Sequence, residues 1–419
     1  MFEIASVSAL EILDSRSRPT LQVTVTLADG TTADAGVPSG ASTGTREAVE
    51  LRDGDTDRYG GLGVRTARDH VDGEISAALQ GRSWSSLADV DEALRALDGT
   101  PAKARLGANS IIGTSMALAR ALAVSARTPL YASLPGVGRS PRLPVPCFNV
   151  LNGGVHAPNP LDFQEFMISP LGAPSLAEAV RAGAEVYAAL RRRLADGGHT
   201  TGLGDEGGFA PDLAEPTDVL RLIVDAITDA GYTPGTDGVA IALDPASSEF
   251  QQADGTYSVN GRPYSSDDMI ALYTQLVDDF PVWSIEDGLS ESDRAGWQRL
   301  TAALGERIQL VGDDIFCTNP AIIREAIGDG IGNAALIKVN QIGTVTETLA
   351  AMRVCHEAGY AQMVSHRSGE TPDTFIADLA VATGCGQIKT GAPARGERVA
   401  KYNRLIRIEA ETGLPYGLR

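Results

Sequence analysis

The sequence predicts an α/β protein in which a C-terminal β/α barrel carries a smaller N-terminal α+β domain. Two observations carry that expectation. Strand-like segments precede helical ones early in the chain, and a strand–helix rhythm of roughly 25 residues sets in later. A third observation sharpens it: the later strand-like runs each end in a polar or charged residue. At 419 residues the chain can hold about two or three domains and bury a sizeable core.

The elements follow in order. LQVTVTLADGTTADAGV alternates in strand fashion and reads as two strands joined by a turn at Asp29-Gly30. From TREAVELRDG through LGANSIIGTSMALARALAVSA the periodicity becomes helical. LPGVGRSPRLPVP, rich in Gly, Pro and Arg, reads as a linker. The expected organisation is therefore an N-terminal α+β domain over 1–133, a linker over 134–143 and a barrel over 144–419.

Beyond the linker, GVAIALD ends at Asp244, PVWSIED reaches Glu286, IQLVGDD reaches Asp313, AALIK ends at Lys338, QMVSH at His366 and GQIK at Lys389. The spacings are 42 (286−244), 27 (313−286), 25 (338−313), 28 (366−338) and 23 (389−366). Helix-like stretches such as SSDDMIALYTQLVDDF fill the gaps. Fully apolar strands in such units imply a parallel sheet. A barrel brings the C-terminal strand ends together on one face, whereas an open doubly wound sheet spreads them along a crevice. Six functional-looking ends in succession favour the barrel.

Composition narrows the function classes. A net charge of −19 opposes nucleic acid or an anionic membrane as the main partner, and an anionic substrate would need a local cluster of cations. MFEIASVSALEILDSR lacks a basic start followed by a long apolar run, so no signal peptide is expected, and no apolar segment is long enough to span a bilayer. Cys147, Cys317, Cys355 and Cys385 form no C-x-x-C pair, which suits reduced thiols in a cytoplasmic protein. The histidines show no H-E-x-x-H spacing for zinc.

The strand ends carry the chemistry. Asp244, Glu286 and Asp313 come from three successive ends, and three converging carboxylates without His or Cys suit a hard ion such as Mg²⁺. Helix capping would account for any one of them, but Glu286 is a poor cap. Lys338, Arg367 and Lys389 are expected on the far side of the same mouth, with Ser368 adding a hydroxyl. Lys338 is the sole charge in AALIKVNQIG. It could snorkel to water from a strand end. Beside a divalent metal and a second lysine, however, its ammonium is expected to be disfavoured, leaving a neutral amine that can act as a base. Proton abstraction α to a carboxylate needs such a base, and cations to stabilise the ene-diolate.

VPSGASTG, NVLNGGVHA, FQEFM, GDEGGFAP, LDPASSEF, SIEDGL, LVGDD, LIKVNQIGT, VSHRSGET and GQIKTGAPAR occur in that order, and through them the chain resembles the enolase (phosphopyruvate hydratase) family from about Ile12 to Glu411. The resemblance implies a TIM-like, enolase-type barrel and the reversible dehydration of 2-phospho-D-glycerate to phosphoenolpyruvate in glycolysis. It implies a first Mg²⁺ on Asp244, Glu286 and Asp313, and a second joined by Ser42 when substrate binds. Lys338 would take the C2 proton. Glu206 would protonate the departing C3 hydroxyl with support from Glu165, the two neighbouring carboxyls keeping one of them protonated. His156, Gln164, His366, Arg367, Ser368 and Lys389 would bind substrate, and loops around Ser42, His156 and Ser247 would close as a lid. The family precedent is a homodimer, sometimes an octamer.

The chain departs from the family pattern at Ser17 and Arg18 in DSRSRPT, at Pro158 and Pro160 in APNP, at Pro372 and at Arg404. Ser17 replaces a glycine, so the backbone there must tolerate a Cβ. Three other readings exist. One is an enolase-like enzyme for a related phosphorylated or phosphonylated acid. Another is a serine hydrolase built on GASTG, which lacks an acid–histidine pairing. The third is a non-catalytic binding protein, against which the intact Lys338, Glu206 and three carboxylates argue.

Overall fold

The computed structural model describes residues 1–41 and 43–418; Ser42, expected at a second metal ion, lies outside them. β1 (Phe2–Leu13), β2 (Pro19–Leu27), β3 (Thr32–Gly36) and the short β4 (Ser83–Trp84) form an antiparallel sheet in the order β3-β2-β1-β4. The β2–β3 turn falls where Asp29-Gly30 predicts it, with Gly30 at φ 86°. The helix Ala108–Ser125 packs across β2 and β3. Its approach needs Gly113, because a Cβ there would stand 2.5 Å from Cγ2 of Val23.

One expectation fails here: TREAVELRDG is not helical. Its backbone is committed elsewhere, with the Ala48 N–H donating to Gln341 O, Val49 to Ala102 O and Asp53 to Gly63 O, each at 2.8 Å. Those long-range bonds override a local helical pattern and stitch the segment to both domains. No helix or strand lies between Ser133 and Val145.

The C-terminal part supplies β5 (Val145–Asn152), β6 (Glu165–Ser169) and β7 (Ala240–Asp244). A small hairpin of β8 (Tyr257–Val259) and β9 (Arg262–Tyr264) follows, then β10 (Val282–Glu286), β11 (Gln309–Gly312), β12 (Ala334–Ile337), β13 (Ala361–Ser365) and β14 (Gly386–Lys389). Eight of these close a barrel in the order β10-β11-β12-β13-β14-β5-β6-β7. Asp244, Glu286 and Lys389 end their strands, and Asp313, Lys338 and His366 each follow theirs by one residue.

The barrel is not wholly parallel, which corrects the sequence expectation. β6 runs antiparallel to both β5 and β7. No crossover helix separates β5 from β6, only residues 153–164, so the chain doubles back as a hairpin does. The reversal is what brings Glu165 to the mouth: as the first residue of β6 it pairs with Asn152 on one side and Asp244 on the other. Below the mouth, Cys147, Met167, Ala242, Val311, Ala334, Leu336 and Met363 fill the barrel interior, so the site rests on a packed floor.

The N-terminal domain grips the rim. Ser39 and Gly369 exchange backbone hydrogen bonds of 2.8 Å in both directions. Asp91 Oδ2 accepts from Thr346 N at 3.0 Å and Ser115 Oγ from Val345 N at 3.0 Å. Ser17 adopts φ 61°, a left-handed conformation that its exposed position tolerates, while Asp14 Oδ1 accepts from the N–H groups of Arg16 (2.8 Å) and Arg18 (2.9 Å). Arg404 forks onto Asp378 at 2.9 and 2.6 Å. No helix among the described residues is long and apolar enough to cross a membrane.

Candidate active site

One cleft at the barrel mouth is lined by His156, Gln164, Glu165, Glu206, Asp244, Asp313, Lys338, His366, Arg367, Ser368 and Lys389, while Glu286 sits beneath it against Lys389. The ring order explains the arrangement. β7, β10 and β11 bring Asp244, Glu286 and Asp313 to one arc; β12, β13 and β14 bring Lys338, His366–Ser368 and Lys389 to another. The strands thus separate acids from cations as the sequence predicts, but the lysine side chains reach back across. Lys389 Nζ lies 2.8 Å from Asp244 Oδ2, 2.9 Å from Glu286 Oε1 and 3.2 Å from Glu165 Oε2. Lys338 Nζ lies 2.5 Å from Asp313 Oδ2.

Two pairings bear on the sequence expectations. Asp244 and Glu286 share the Lys389 ammonium, while Asp313 serves Lys338. Among the described residues, the clusters of potential metal ligands whose ligand atoms lie within 4.8 Å of one another are His156–Glu165–Glu206 and Asp287–Asp313–Asp314. Second, the Asp313 carboxylate favours the ammonium form of Lys338. Burial favours the neutral form, but Asp313 outweighs it and pushes the lysine up to about 12.

Anionic charge nonetheless exceeds what the lysines compensate. Burial and then Asp244 hold Glu286 well above the usual carboxylate range, despite the ammonium beside it. Burial and Asp313 raise Asp314 to about 8. A buried, oxygen-only donor set short of positive charge fits a hard divalent cation.

The second carboxyl pair splits. Burial and then the charge of Glu206 drive Glu165 well above the carboxylate range. Burial would raise Glu206 too, but His366, His156 and Arg398 favour its anion and hold it well below. Asn149 Nδ2 donates to Glu206 Oε2 at 2.9 Å, and His366 Nε2 stands 3.0 Å from the same oxygen. The pair keeps one proton, and the neutral member is Glu165. His156 Nδ1 lies 3.7 Å from Glu165 and 3.9 Å from Glu206. Neither this nitrogen nor the buried Gln164 Oε1 has a hydrogen-bond partner among the described residues.

Arg367 is clamped from the N-terminal domain. Glu47 accepts from its two terminal nitrogens at 2.9 and 3.1 Å, and Asn340 Oδ1 accepts at 3.2 Å. Ser368 Oγ accepts from the Ala41 N–H at 2.9 Å, which ties the segment ending at Ala41 to the lining of the cleft. Gly44 seats on the barrel, where a Cβ would come 2.7 Å from Cys317 Sγ.

Sequence reasoning missed Asn149, Glu47 and Gln341; the last donates to Asp313 Oδ1 at 2.8 Å. Asn149 and Gln341 lie inside quoted motifs, and Glu47 was concealed by the helical periodicity of its segment.

Fold and site together define a two-domain β/α-barrel enzyme whose mouth is equipped for acid–base chemistry on an anionic substrate. A family model described as "Enolase, C-terminal TIM barrel domain" matches residues 140–415, and one described as "Enolase, N-terminal domain" matches residues 4–134. A protein named Enolase from Mycobacterium leprae is 56% identical over 410 residues, covering 98% of this chain and 95% of that protein. Another named Enolase, from Rubrobacter xylanophilus, is 54% identical over 415 residues, covering 99% and 96%. The chain belongs to the enolase family.

Proposed function

We propose that this protein is a glycolytic phosphopyruvate hydratase that reversibly dehydrates 2-phospho-D-glycerate to phosphoenolpyruvate. The observation that carries the reading is the placement of the base on the wall opposite the Glu165–Glu206 pair that holds the acid's proton. Lys338 follows β12 and Glu165 opens β6, which stand four strands apart in the ring of eight (β12, β13, β14, β5, β6). A substrate between them loses its C2 proton on one face and its C3 hydroxyl on the other.

Lys338 takes the C2 proton, which requires the charge of Asp313 to be engaged elsewhere. Glu206 protonates the departing hydroxyl, drawing on the proton it shares with Glu165. Arg367, Ser368, His156, Gln164, His366 and Lys389 hold the substrate, the guanidinium of Arg367 matching a phosphoryl group. Asp244, Glu286 and Asp313 would hold Mg²⁺, with Ser42 joining a second ion when substrate binds. As is general for enolase-superfamily sites, the metal ions would stabilise the extra negative charge generated on the substrate carboxylate.

The division into 1–133, a linker over 134–143 and 144–419 is part of this reading, supported by the absence of regular elements between Ser133 and Val145. A homodimer, alone or assembled into an octamer, is supported by exposed Leu10, Leu13 and Tyr59 around the Glu11–Arg58 pair. A cytoplasmic location accords with four cysteines that form no disulfide.

The test is the ultraviolet absorbance of the enol product after mixing protein, 2-phosphoglycerate and Mg²⁺, with a chelator control. Rapid, chelator-sensitive turnover is the expected result. No turnover from a folded, Mg²⁺-binding protein would move the assignment to a related acid.

A further inference from the structure

Arg398, near the start of the last helix (Gly396–Thr412), is fully buried at 0% exposure. Its side chain reaches the back of the cleft. Nη1 stands 2.6 Å from His366 Nδ1 and donates to Arg367 O at 2.6 Å. Nη2 donates to Ser368 O at 2.6 Å, to Asp205 O at 3.2 Å and to Ser15 Oγ at 3.4 Å. One guanidinium therefore joins the segment carrying Glu206, the segment carrying His366 to Ser368, and the N-terminal domain.

The contact with His366 decides a proton position. A guanidinium has donors and no acceptor, so an imidazole nitrogen 2.6 Å from it must offer a lone pair. The single ring proton of His366 is then on Nε2, the atom 3.0 Å from Glu206 Oε2. The opposite tautomer would set donor against donor at Nδ1 and a lone pair against a carboxylate at Nε2. A doubly protonated ring meets the same donor conflict at Nδ1, and burial followed by Arg398 pushes the imidazole down to about 3 against the opposing pull of Glu206.

We propose that Arg398 is a positioning residue that locks His366 as its Nε2–H tautomer, with the protonated nitrogen 3.0 Å from the Glu206 carboxylate though not aligned as a hydrogen bond to it. Arg398 does not line the cleft; it acts through His366 and through the three carbonyls it holds. The tautomer matters because Glu206 is the acid of the dehydration step. A proton on Nε2, beside an Oε2 that already accepts from Asn149 Nδ2, disfavours protonation of that oxygen and leaves Oε1 to exchange the proton. This inference rests on the enolase reading for its catalytic consequence, but not for the tautomer.

The first arm of the test therefore uses no substrate. The chain has five histidines, so ¹⁵N-histidine labelling gives a tractable long-range nitrogen–proton spectrum, with His366 assigned by its loss in His366→Asn. The expected wild-type result is a pyrrole-type Nε2 and a pyridine-type Nδ1 throughout the stable pH range. A pyrrole-type Nδ1, or an imidazolium, would overturn the proposal. Arg398→Lys retains a donor-only group in a different position, so the tautomer should persist while the Nδ1 shift moves; an unmoved shift shows that Arg398 is not the donor and overturns it. Arg398→Met should mix the tautomers, and an unmixed Nε2–H form in a folded variant would also overturn it.

The second arm separates catalytic steps. Arg398→Met is expected to slow dehydration by tenfold or more while C2–H exchange stays within threefold of wild type. A merely structural role would depress both steps together, and that outcome counts against the proposal. If the wild-type protein does not turn over 2-phosphoglycerate, the enolase reading fails while the spectra still decide the tautomer.

Discussion

Lys338 Nζ and Asp313 Oδ2 stand 2.5 Å apart across two adjacent strand ends, so the proposed base and a proposed metal ligand form one ion pair. The carboxylate stabilises the ammonium against a burial that favours the amine, raising the lysine to about 12. Asp313→Asn removes that support, and the Lys338 ammonium should deprotonate at distinctly lower pH. Observation of the Lys338 ε-methylene by ¹³C NMR across a pH titration of the metal-free protein would read the change. An unshifted titration would show that Asp313 is not what holds the proton.

Lys338→Ala and Glu206→Gln should fail at different steps. The lysine variant should lose C2–H exchange with solvent by at least about a hundredfold, the usual scale for removing a general base, while retaining Mg²⁺ binding. The glutamine variant should lose dehydration on a similar scale and keep exchange, because the proposed role of Glu206 is to protonate the leaving hydroxyl and not to take the C2 proton. Isotope exchange and product absorbance measured on the same samples separate the two. Equal loss of both steps in both variants would remove the case for separate roles.

Much of this site can be read from the sequence because strand ends are local. GVAIALD, PVWSIED, LVGDD, AALIK and GQIK place their terminal polar residues without knowledge of the rest of the chain, and the barrel converts their spacing into one mouth. What the sequence conceals is non-local. The reversal of β6 depends on the absence of a crossover helix, and only that reversal explains how the first residue of a strand, Glu165, meets the last residue of its neighbour, Asp244. Glu47 sits in a segment with helical periodicity, and its role follows from long-range backbone bonds. The protonation of Lys338 likewise turns on how far its side chain crosses the mouth, which no residue spacing specifies.

Glu47 and Arg367 form a buried, two-pronged ion pair between the domains, with side chains 7% and 3% exposed. Glu47→Ala leaves the guanidinium buried without its carboxylate, and removing one partner of such a pair costs roughly 3–5 kcal/mol. Added inorganic phosphate should recover more stability in this variant than in wild type, since an anion can take the carboxylate's place. Thermal melts with and without phosphate provide the comparison. Equal stabilisation of both proteins would show that Arg367 does not bind phosphate in the vacated position.

Asp91 predicts a pH signature for the contact between the domains. It is buried at 1% exposure and accepts from Thr346 N at 3.0 Å and Thr346 Oγ1 at 2.5 Å, where the helix Val345–Glu357 begins. Burial raises its carboxyl from 3.8 to about 6, partly offset by those hydrogen bonds. A folded-state value above the unfolded one means that the native protein binds the proton more tightly. The associated stability is fully present below pH 3.8 and is lost as pH rises through about 6. A shift of that size corresponds to roughly 3 kcal/mol. Asp91→Asn cannot titrate, so relative to the variant the wild type should lose about that much stability between pH 4 and 7, whatever constant offset the substitution introduces. Denaturant unfolding of both proteins across this range measures the difference directly. A constant difference would mean that Asp91 is as ionised in the folded protein as in the unfolded chain, and that burial does not raise its carboxyl.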